Sequence, residues 1–248
     1  TIDNIQLKTD DSSGWIIVNS GTIIMKNSSI MNNDNNQYQE FLKNEATGKV
    51  TIESGIYNSY DLFNNKGTLT INGGTFTIST NNAVNFNETG NLVINGGSFN
   101  APNNCFIKNI RGNLTINGGN FSGECVAQNY DPDYYKNSQK IESIINVNNG
   151  TFNTTGIAFG NTSFSRYSKI YINNGKITST STDDSVIAEY GSDNTISILG
   201  GNIKGTSISA GLLSSNSKMI FGSNDGVVTK DSPIIELTPG RLTGPAKY

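Results

Sequence analysis

The side chains best suited to bind a ligand are aromatic and charged residues that fall in three groups along the second half of the chain. They are Tyr130, Asp131, Asp133, Tyr134, Tyr135, Phe164, Arg166, Tyr167, Tyr190 and Asp193. Aromatic rings offer a flat apolar face and, in tyrosine, a polar tip, which suits a sugar ring or a protein partner. The alternative is that these tyrosines fold down and shield an otherwise exposed apolar part of their own domain.

Catalysis by familiar acid–base groups finds little support in the composition. The 248 residues include no histidine, which excludes a Ser-His-Asp triad and a zinc site with histidine ligands. Asp183 and Asp184 are adjacent carboxylates, and glycoside hydrolysis uses a pair of carboxyl groups. They lie in a Ser- and Thr-rich stretch, however, where solvated turn residues are expected. We therefore expect no catalytic residues and no cofactor.

Metal ions, nucleic acids and membranes are also disfavoured as partners. Asp131 and Asp133 bracket Pro132, and calcium prefers carboxylate and carbonyl oxygens, but two acids without the spacing of an EF-hand loop make calcium only an alternative. A formal net charge of −3 provides no basic surface for nucleic acid. No apolar run is long enough to cross a membrane, so we expect no membrane insertion.

A repeated phrase of strand-forming residues sets the architecture that must position these side chains. Leu69–Phe76 reads Leu-Thr-Ile-Asn-Gly-Gly-Thr-Phe, and close copies follow at Leu92–Phe99 and Leu114–Phe121. Looser copies occur at Val50–Tyr57, Ile145–Phe152, Ile170–Ile177 and Ile196–Ile203. Ile71 and Ile94 mark the same position and lie 23 residues apart. A period near 23 residues, rich in strand-forming side chains, is typical of a β-solenoid in which each repeat forms one coil.

The repeat predicts the fold class and the register of the coils. Positions equivalent to Ile71 are Ile2, Met25, Ile52, Ile94, Ile116, Val147, Ile172, Ile198 and Phe221. Each coil should contain a first strand, an Asn-Gly-Gly corner, a short second strand and a third strand such as Gly156–Phe159 or Ser185–Ala188. We therefore predict an all-β, single-stranded parallel β-helix of about ten coils, forming one domain over residues 1–248.

Stacking of the coils makes two further predictions about side chains. The corner asparagines Asn72, Asn95, Asn117, Asn148 and Asn173 should form a ladder of hydrogen-bonded amides along the axis. Cys105 and Cys125 fall in the third strands of neighbouring coils, where a separation of about 4.8 Å would allow a disulfide. Two buried thiols that act as small apolar side chains are the favoured alternative.

Stacking also brings the candidate ligand-binding residues together. They lie at the corner between the third strand and the next first strand in coils six, seven and eight, and residues 129–140 lengthen coil six at that corner. Since consecutive coils are neighbours, the three corners should lie within about 10 Å of one another. Insertions in solenoids become outside loops, often on a binding face.

The Leu-Thr-Ile-Asn-Gly-Gly-x-Phe phrase resembles the right-handed parallel β-helix proteins. These include pectate-lyase-like enzymes, phage tailspikes and passenger or stalk regions of bacterial surface adhesins. The resemblance implies a right-handed winding, and in its enzymes calcium-binding carboxylates and a basic residue on the outer face of the first strands. The outward positions of this chain are neither acidic nor basic: Thr51, Thr70, Val93, Thr115, Asn146, Tyr171 and Ser197.

These observations favour a non-catalytic surface protein over an enzyme. We expect an extracellular or cell-surface adhesin or stalk segment of a bacterium, part of a longer protein, that binds a glycan or a host protein. The alternative is a polysaccharide-active β-helix, either a lyase, a hydrolase or a phage depolymerase.

Overall fold

The computed structural model describes residues 1–7, 14–31, 39–78, 85–133, 142–209, 216–222 and 233–243, and these residues form strands, turns and bends without a helix. The first strands of successive coils are Ile2–Asp3, Thr22–Lys26, Lys49–Ile52, Thr68–Ile71, Asn91–Ile94, Asn113–Ile116, Ile144–Val147, Lys169–Ile172, Thr195–Ile198 and Lys218–Phe221. They form one ten-stranded parallel sheet in sequence order, and we number the coils one to ten by these strands. The prediction of a parallel β-solenoid is confirmed.

The second and third strands of the coils form a second, 16-stranded sheet. Separate second strands are Gln6–Leu7, Ser28–Met31, Gly55–Ser59, Thr75–Ile78, Thr151–Thr154 and Lys176–Ser179. Separate third strands are Gly14–Asn19, Gln39–Asn44, Asp61–Asn65, Asn85–Glu88, Phe159–Asn161 and Ile187–Glu189. Four long strands serve both roles: Ser98–Ile110, Asn120–Asn129, Asn202–Ser209 and Ile234–Thr243.

The register of the first sheet is the one that the repeat predicts. Ile71 pairs with Ile52 on one side and with Ile94 on the other, and the pairing continues in the same way from Ile2 to Phe221. Alternation along each strand buries the equivalent residues from Met25 to Ile198 and leaves Thr70 partly exposed between Leu69 and Ile71. The right-handed winding and the single domain over residues 1–248 stay predictions.

The third strands begin later than the sequence suggested. The stretch expected at Gly156–Phe159 forms a strand at Phe159–Asn161, and the one expected at Ser185–Ala188 forms a strand at Ile187–Glu189. The expectation followed the apolar residues, whereas these strands continue to a polar residue at their end. That residue is buried in both cases, with Asn161 and Glu189 each 1% exposed.

A stack of aromatic rings fills one side of the narrow interior. Phe76 stacks on Tyr57 and Phe99 with ring centroids 4.8 and 5.0 Å apart, and the series extends to Phe41 at one end and Phe152 at the other. These side chains come from equivalent positions of the second strands, apart from Phe41 in a third strand. The stack helps to hold successive coils in register because each ring packs against the one below.

The part of the chain that the structure describes contains no helix that is long and apolar enough to cross a membrane.

Candidate functional site

The corner between third and first strands has the same backbone shape in several coils. Thr89, Arg111, Tyr167 and Asp193 each lie two residues before a first strand and have φ angles of 56°, 55°, 57° and 56°. Non-glycine residues seldom adopt this left-handed conformation, and they keep it where surrounding contacts hold it. We call the corner surface the set that surrounds three of these positions: Arg111, Tyr130, Asp131, Asp133, Phe164, Arg166, Tyr167 and Asp193.

Arg111 holds the two aspartates of coil six. Its Nη2 lies 2.6 Å from Asp131 Oδ1 and 3.2 Å from Asp133 Oδ2, and the backbone N–H of Asp133 donates to Asp131 Oδ1 at 2.9 Å. Burial by itself would lower the pKa of Arg111, but its hydrogen bonds to Asp131 and Asp133 and their charges raise it. The positive guanidinium between these carboxylates disfavours the calcium alternative. Sequence reasoning missed Arg111, because it comes from coil five.

Tyr130 and Phe164 join the corners of coils six and seven. Their ring centroids lie 5.9 Å apart in an edge-to-face arrangement, and the backbone N–H of Asp131 donates to the carbonyl of Phe164 at 3.2 Å. Phe164 is nevertheless 41% exposed. Tyr130 therefore packs on its own domain, as the shielding alternative expects, while Phe164 keeps apolar area available to a ligand.

Arg166 connects coils seven and eight. Its guanidinium carbon lies 4.8 Å from the ring centroid of Tyr167, and its Nε donates to Asp193 Oδ2 at 3.2 Å. Asn216 Nδ2 donates to the other oxygen of Asp193 at 2.9 Å. The structure thus joins two predicted residues of these coils, Arg166 and Asp193, by an ion pair and places the ring of Tyr167 beside the same guanidinium.

The remaining predicted residues are Tyr134, Tyr135 and Tyr190. Tyr134 and Tyr135 lie outside the described residues. The backbone N–H of Tyr190 donates to the carbonyl of Asn161 at 2.9 Å, which places Tyr190 at the start of the coil-eight corner that contains Asp193.

A buried column of amides runs directly beneath the corner surface, and sequence reasoning missed it. Each side-chain amide donates to the next coil along the series Asn19, Asn44, Asn65, Asn87, Asn109, Asn129, Asn161 and Glu189. Asn109 is fully buried, and its Nδ2 also donates to the carbonyl of Gly112 at 3.0 Å. The available signal was an asparagine two to four residues before a glycine, as in Asn65–Gly67, Asn87–Gly90 and Asn109–Gly112.

Glu189 replaces asparagine at the last position of this column. Its carboxylate accepts hydrogen bonds from Asn161 Nδ2, from Asn194 Nδ2 at 2.9 Å and from the backbone N–H of Gly191 at 2.8 Å. Burial raises the pKa of Glu189, and these hydrogen bonds offset part of that rise. A carboxyl that is 1% exposed offers no surface to a substrate.

The predicted ladder of corner asparagines is confirmed on the outside of the coils. Asn95 Nδ2 donates to Asn72 Oδ1 at 2.8 Å, and the same bond recurs for Asn117 on Asn95, Asn148 on Asn117 and Asn173 on Asn148. These asparagines therefore connect successive coils.

The remaining chemical candidates occupy structural roles. Ser181 Oγ accepts the backbone N–H groups of Asp183 and Asp184 at 3.2 and 2.8 Å, which is the turn chemistry expected of that stretch. Cys105 pairs with Cys125 in register and is joined to it by a disulfide, so the favoured expectation of two free thiols is wrong. The sequence leaves the register of these two strands uncertain by one residue, and the structure places the two cysteines directly opposite each other.

Comparisons with protein-family models, with curated proteins and with solved structures found no match to this chain. The resemblance therefore extends to the β-solenoid arrangement, and the likeness to pectate-lyase-like enzymes or to adhesins stays a prediction.

Proposed function

We propose that this chain is a non-catalytic segment of an extracellular or cell-surface protein, and that its corner surface binds a glycan. The observation that supports this is the pairing of the exposed ring of Phe164 and the half-buried ring of Tyr167 with the polar groups of Arg166 and Asp193. An apolar face beside fixed donors and acceptors is the chemistry that a sugar ring needs. A host glycoprotein could present such a glycan.

The disulfide favours the proposed location. Disulfides persist in oxidising compartments, which include the cell surface and the extracellular space. Cys105 and Cys125 are buried between coils five and six and join two strands of the second sheet.

The absence of catalysis in the proposal follows from the state of the corner acids. Asp131 and Asp133 contact Arg111, and Asp193 contacts Arg166 and Asn216. Carboxylate oxygens that already accept hydrogen bonds from guanidinium groups are poorly placed to act on a glycosidic bond.

The test removes the rings of Phe164 and Tyr167 while keeping the backbone conformation. Phe164→Ser and Tyr167→Asn together should reduce glycan-array binding by about tenfold or more, because both rings that would contact the sugar are lost. Asparagine is chosen at position 167 because it tolerates the left-handed backbone there. Thr89→Asn changes the equivalent corner of coil four and should leave binding unaltered.

Three results would contradict the proposal. Binding that survives the double substitution would place the site elsewhere, and a large fall in melting temperature with binding intact would make the rings structural. Release of oligosaccharides from a glycan panel by the wild-type chain would favour the polysaccharide-active alternative.

A further inference from the structure

A polar groove of about 490 Å³ lies at the corner between first and second strands of coils seven to ten. The first strands separate it from the corner surface, which lies at their other end. The principal side chains of the groove are Asn149, Asn173, Asn174, Lys176, Asn202 and Ile234.

The groove exists because the corner sequence changes along the solenoid. Coils four to six use Asn-Gly-Gly, whereas coils seven and eight use Asn-Asn-Gly, with Asn149 and Asn174 in the middle position. A Cβ at the equivalent Gly118 would lie 2.8 Å from the carbonyl oxygen of Asn95, so the earlier coils are too tightly stacked for this side chain. The amides of Asn149 and Asn174 are therefore features of this groove and are absent from the equivalent corners of coils four to six.

Both added amides are oriented with their N–H groups available. Asn149 Oδ1 accepts the backbone N–H of Gly150 at 2.9 Å, and Asn174 Oδ1 accepts that of Gly175 at 2.8 Å. The oxygens are thus used locally, and among the described residues neither Nδ2 has a hydrogen-bond acceptor. Each leaves two N–H donors for a ligand.

The exposed asparagine ladder supplies an acceptor at the same place. Asn173 Nδ2 donates to Asn148 Oδ1 at 2.8 Å, but coil nine has Leu199 where another asparagine would continue the ladder. Within the described part of the chain, Asn173 Oδ1 therefore receives no donor. A hydroxyl group of a ligand would donate a hydrogen bond to this oxygen.

Lys176 gives the groove its charge. It lies between Thr151 and Asn202 in the outward row of the second strands, and no acidic side chain pairs with it in the described residues. Lys204, in the next row, is neutralised by Glu236 at 2.9 Å. Ile234 ends the row of Lys176 with a side chain that is 62% exposed.

We infer that this groove binds an acidic saccharide. The Lys176 ammonium would contact the carboxylate or sulfate, and the amides of Asn149 and Asn174 would donate to ring and hydroxyl oxygens. Asn173 Oδ1 accepts a hydroxyl proton, and Ile234 covers an apolar patch of the sugar ring. A neutral glycan satisfies the amides but not the lysine, so the groove discriminates by charge.

The first experiment titrates the chain calorimetrically with an oligomer of glucuronic acid and with the same oligomer after reduction of its carboxyl groups. We expect the acidic form to bind about tenfold more tightly or better, with a difference that falls as salt is added. Equal affinity for the two forms, or no measurable binding of the acidic form, overturns the inference.

The second experiment assigns the binding to the groove. Lys176→Met should reduce the affinity for the acidic oligomer about tenfold, to that of the neutral one. Lys49→Met makes the same charge change on an exposed first-strand lysine of coil three and should have no effect. If both variants lose affinity equally, the attraction is a property of net charge and the groove is not the site.

A third variant tests the amides without endangering the fold. Asn149→Gly with Asn174→Gly restores the Asn-Gly-Gly corner of coils four to six, and it should weaken binding of both oligomers several-fold. Unchanged binding would contradict the role of the amides. The Phe164→Ser and Tyr167→Asn variant should bind the acidic oligomer normally, so the groove and the corner surface can succeed or fail separately.

Discussion

Asn161 donates its side-chain amide to the carboxylate of Glu189, and this bond ends the buried amide column at an acceptor-only group. In that column every Nδ2 points toward the C-terminal coils. In the exposed ladder every Nδ2 points toward the N-terminal coils, and the last of them, Asn72 Nδ2, donates to Glu53 Oε2 at 2.9 Å. Both series of aligned amide dipoles thus end with a carboxylate at their positive end, which is the electrostatically favourable arrangement.

The buried column should contribute more to stability than the exposed ladder. Asn109→Ala removes the bond from Asn87 Nδ2 and leaves the buried Asn129 Oδ1 without the donor that Asn109 supplies, so we expect a loss of about 2–4 kcal/mol in the free energy of unfolding. Asn95→Ala breaks equivalent bonds in contact with water and should cost about 0.5–1.5 kcal/mol. Urea denaturation of both variants gives the comparison. Equal costs would mean that water reaches the column.

Glu189 should give the folded state a characteristic pH dependence. Its pKa is raised by burial above the ordinary value of 4.5, so its contribution to stability is full below that value and is lost as pH rises through the folded-state pKa. The stability of the wild type relative to Glu189→Gln should therefore decline as pH increases from about 4.5. Denaturation curves across this range measure it. A difference that stays constant or grows with pH would contradict the assignment.

The second glycine of the Asn-Gly-Gly corner should resist substitution more than the first. Gly97 has a φ of 113°, and an added Cβ would lie 2.9 Å from the carbonyl oxygen of Gly74, whereas Gly96 lies outside the left-handed region. We expect Gly97→Ala to cost about 2–3 kcal/mol and Gly96→Ala about 1 kcal/mol. Thermal melts of the two variants compare them. If Gly96→Ala costs more, then the close approach of its Cβ to the carbonyl oxygen of Asn72, at 3.0 Å, and not a positive φ, decides which substitutions this corner tolerates.

Loss of the disulfide should destabilise the central coils. Cys105 and Cys125 are 20 residues apart in sequence, and opening a loop of that size costs about 3 kcal/mol in the chain-entropy account. Cys105→Ala with Cys125→Ala should lower the urea midpoint, and a reductant should lower that of the wild type but not of the variant. Two titratable thiols in the native protein would contradict the pairing.

The sequence by itself determined the coil, its register and the exposed ladder. Inward positions such as Ile71 and Ile94 repeat with the coil period. Because apolar and polar residues alternate along each strand, only one register of neighbouring strands buries all the apolar side chains. The asparagine ladder followed for the same reason, since Asn72 and Asn95 lie one residue beyond these anchors.

The tertiary structure decided which polar residues lie inside and which charges meet. Asn109 and Asn95 are the same residue type beside similar turns, yet one is buried, because only in its column do neighbouring coils supply a partner for every amide group. Arg111 of coil five contacts Asp131 of the neighbouring coil six for a related reason. The two residues are 20 positions apart in sequence and become adjacent only when the corners stack. Local pattern specifies apolar burial, whereas polar burial depends on partners that the folded chain alone brings together.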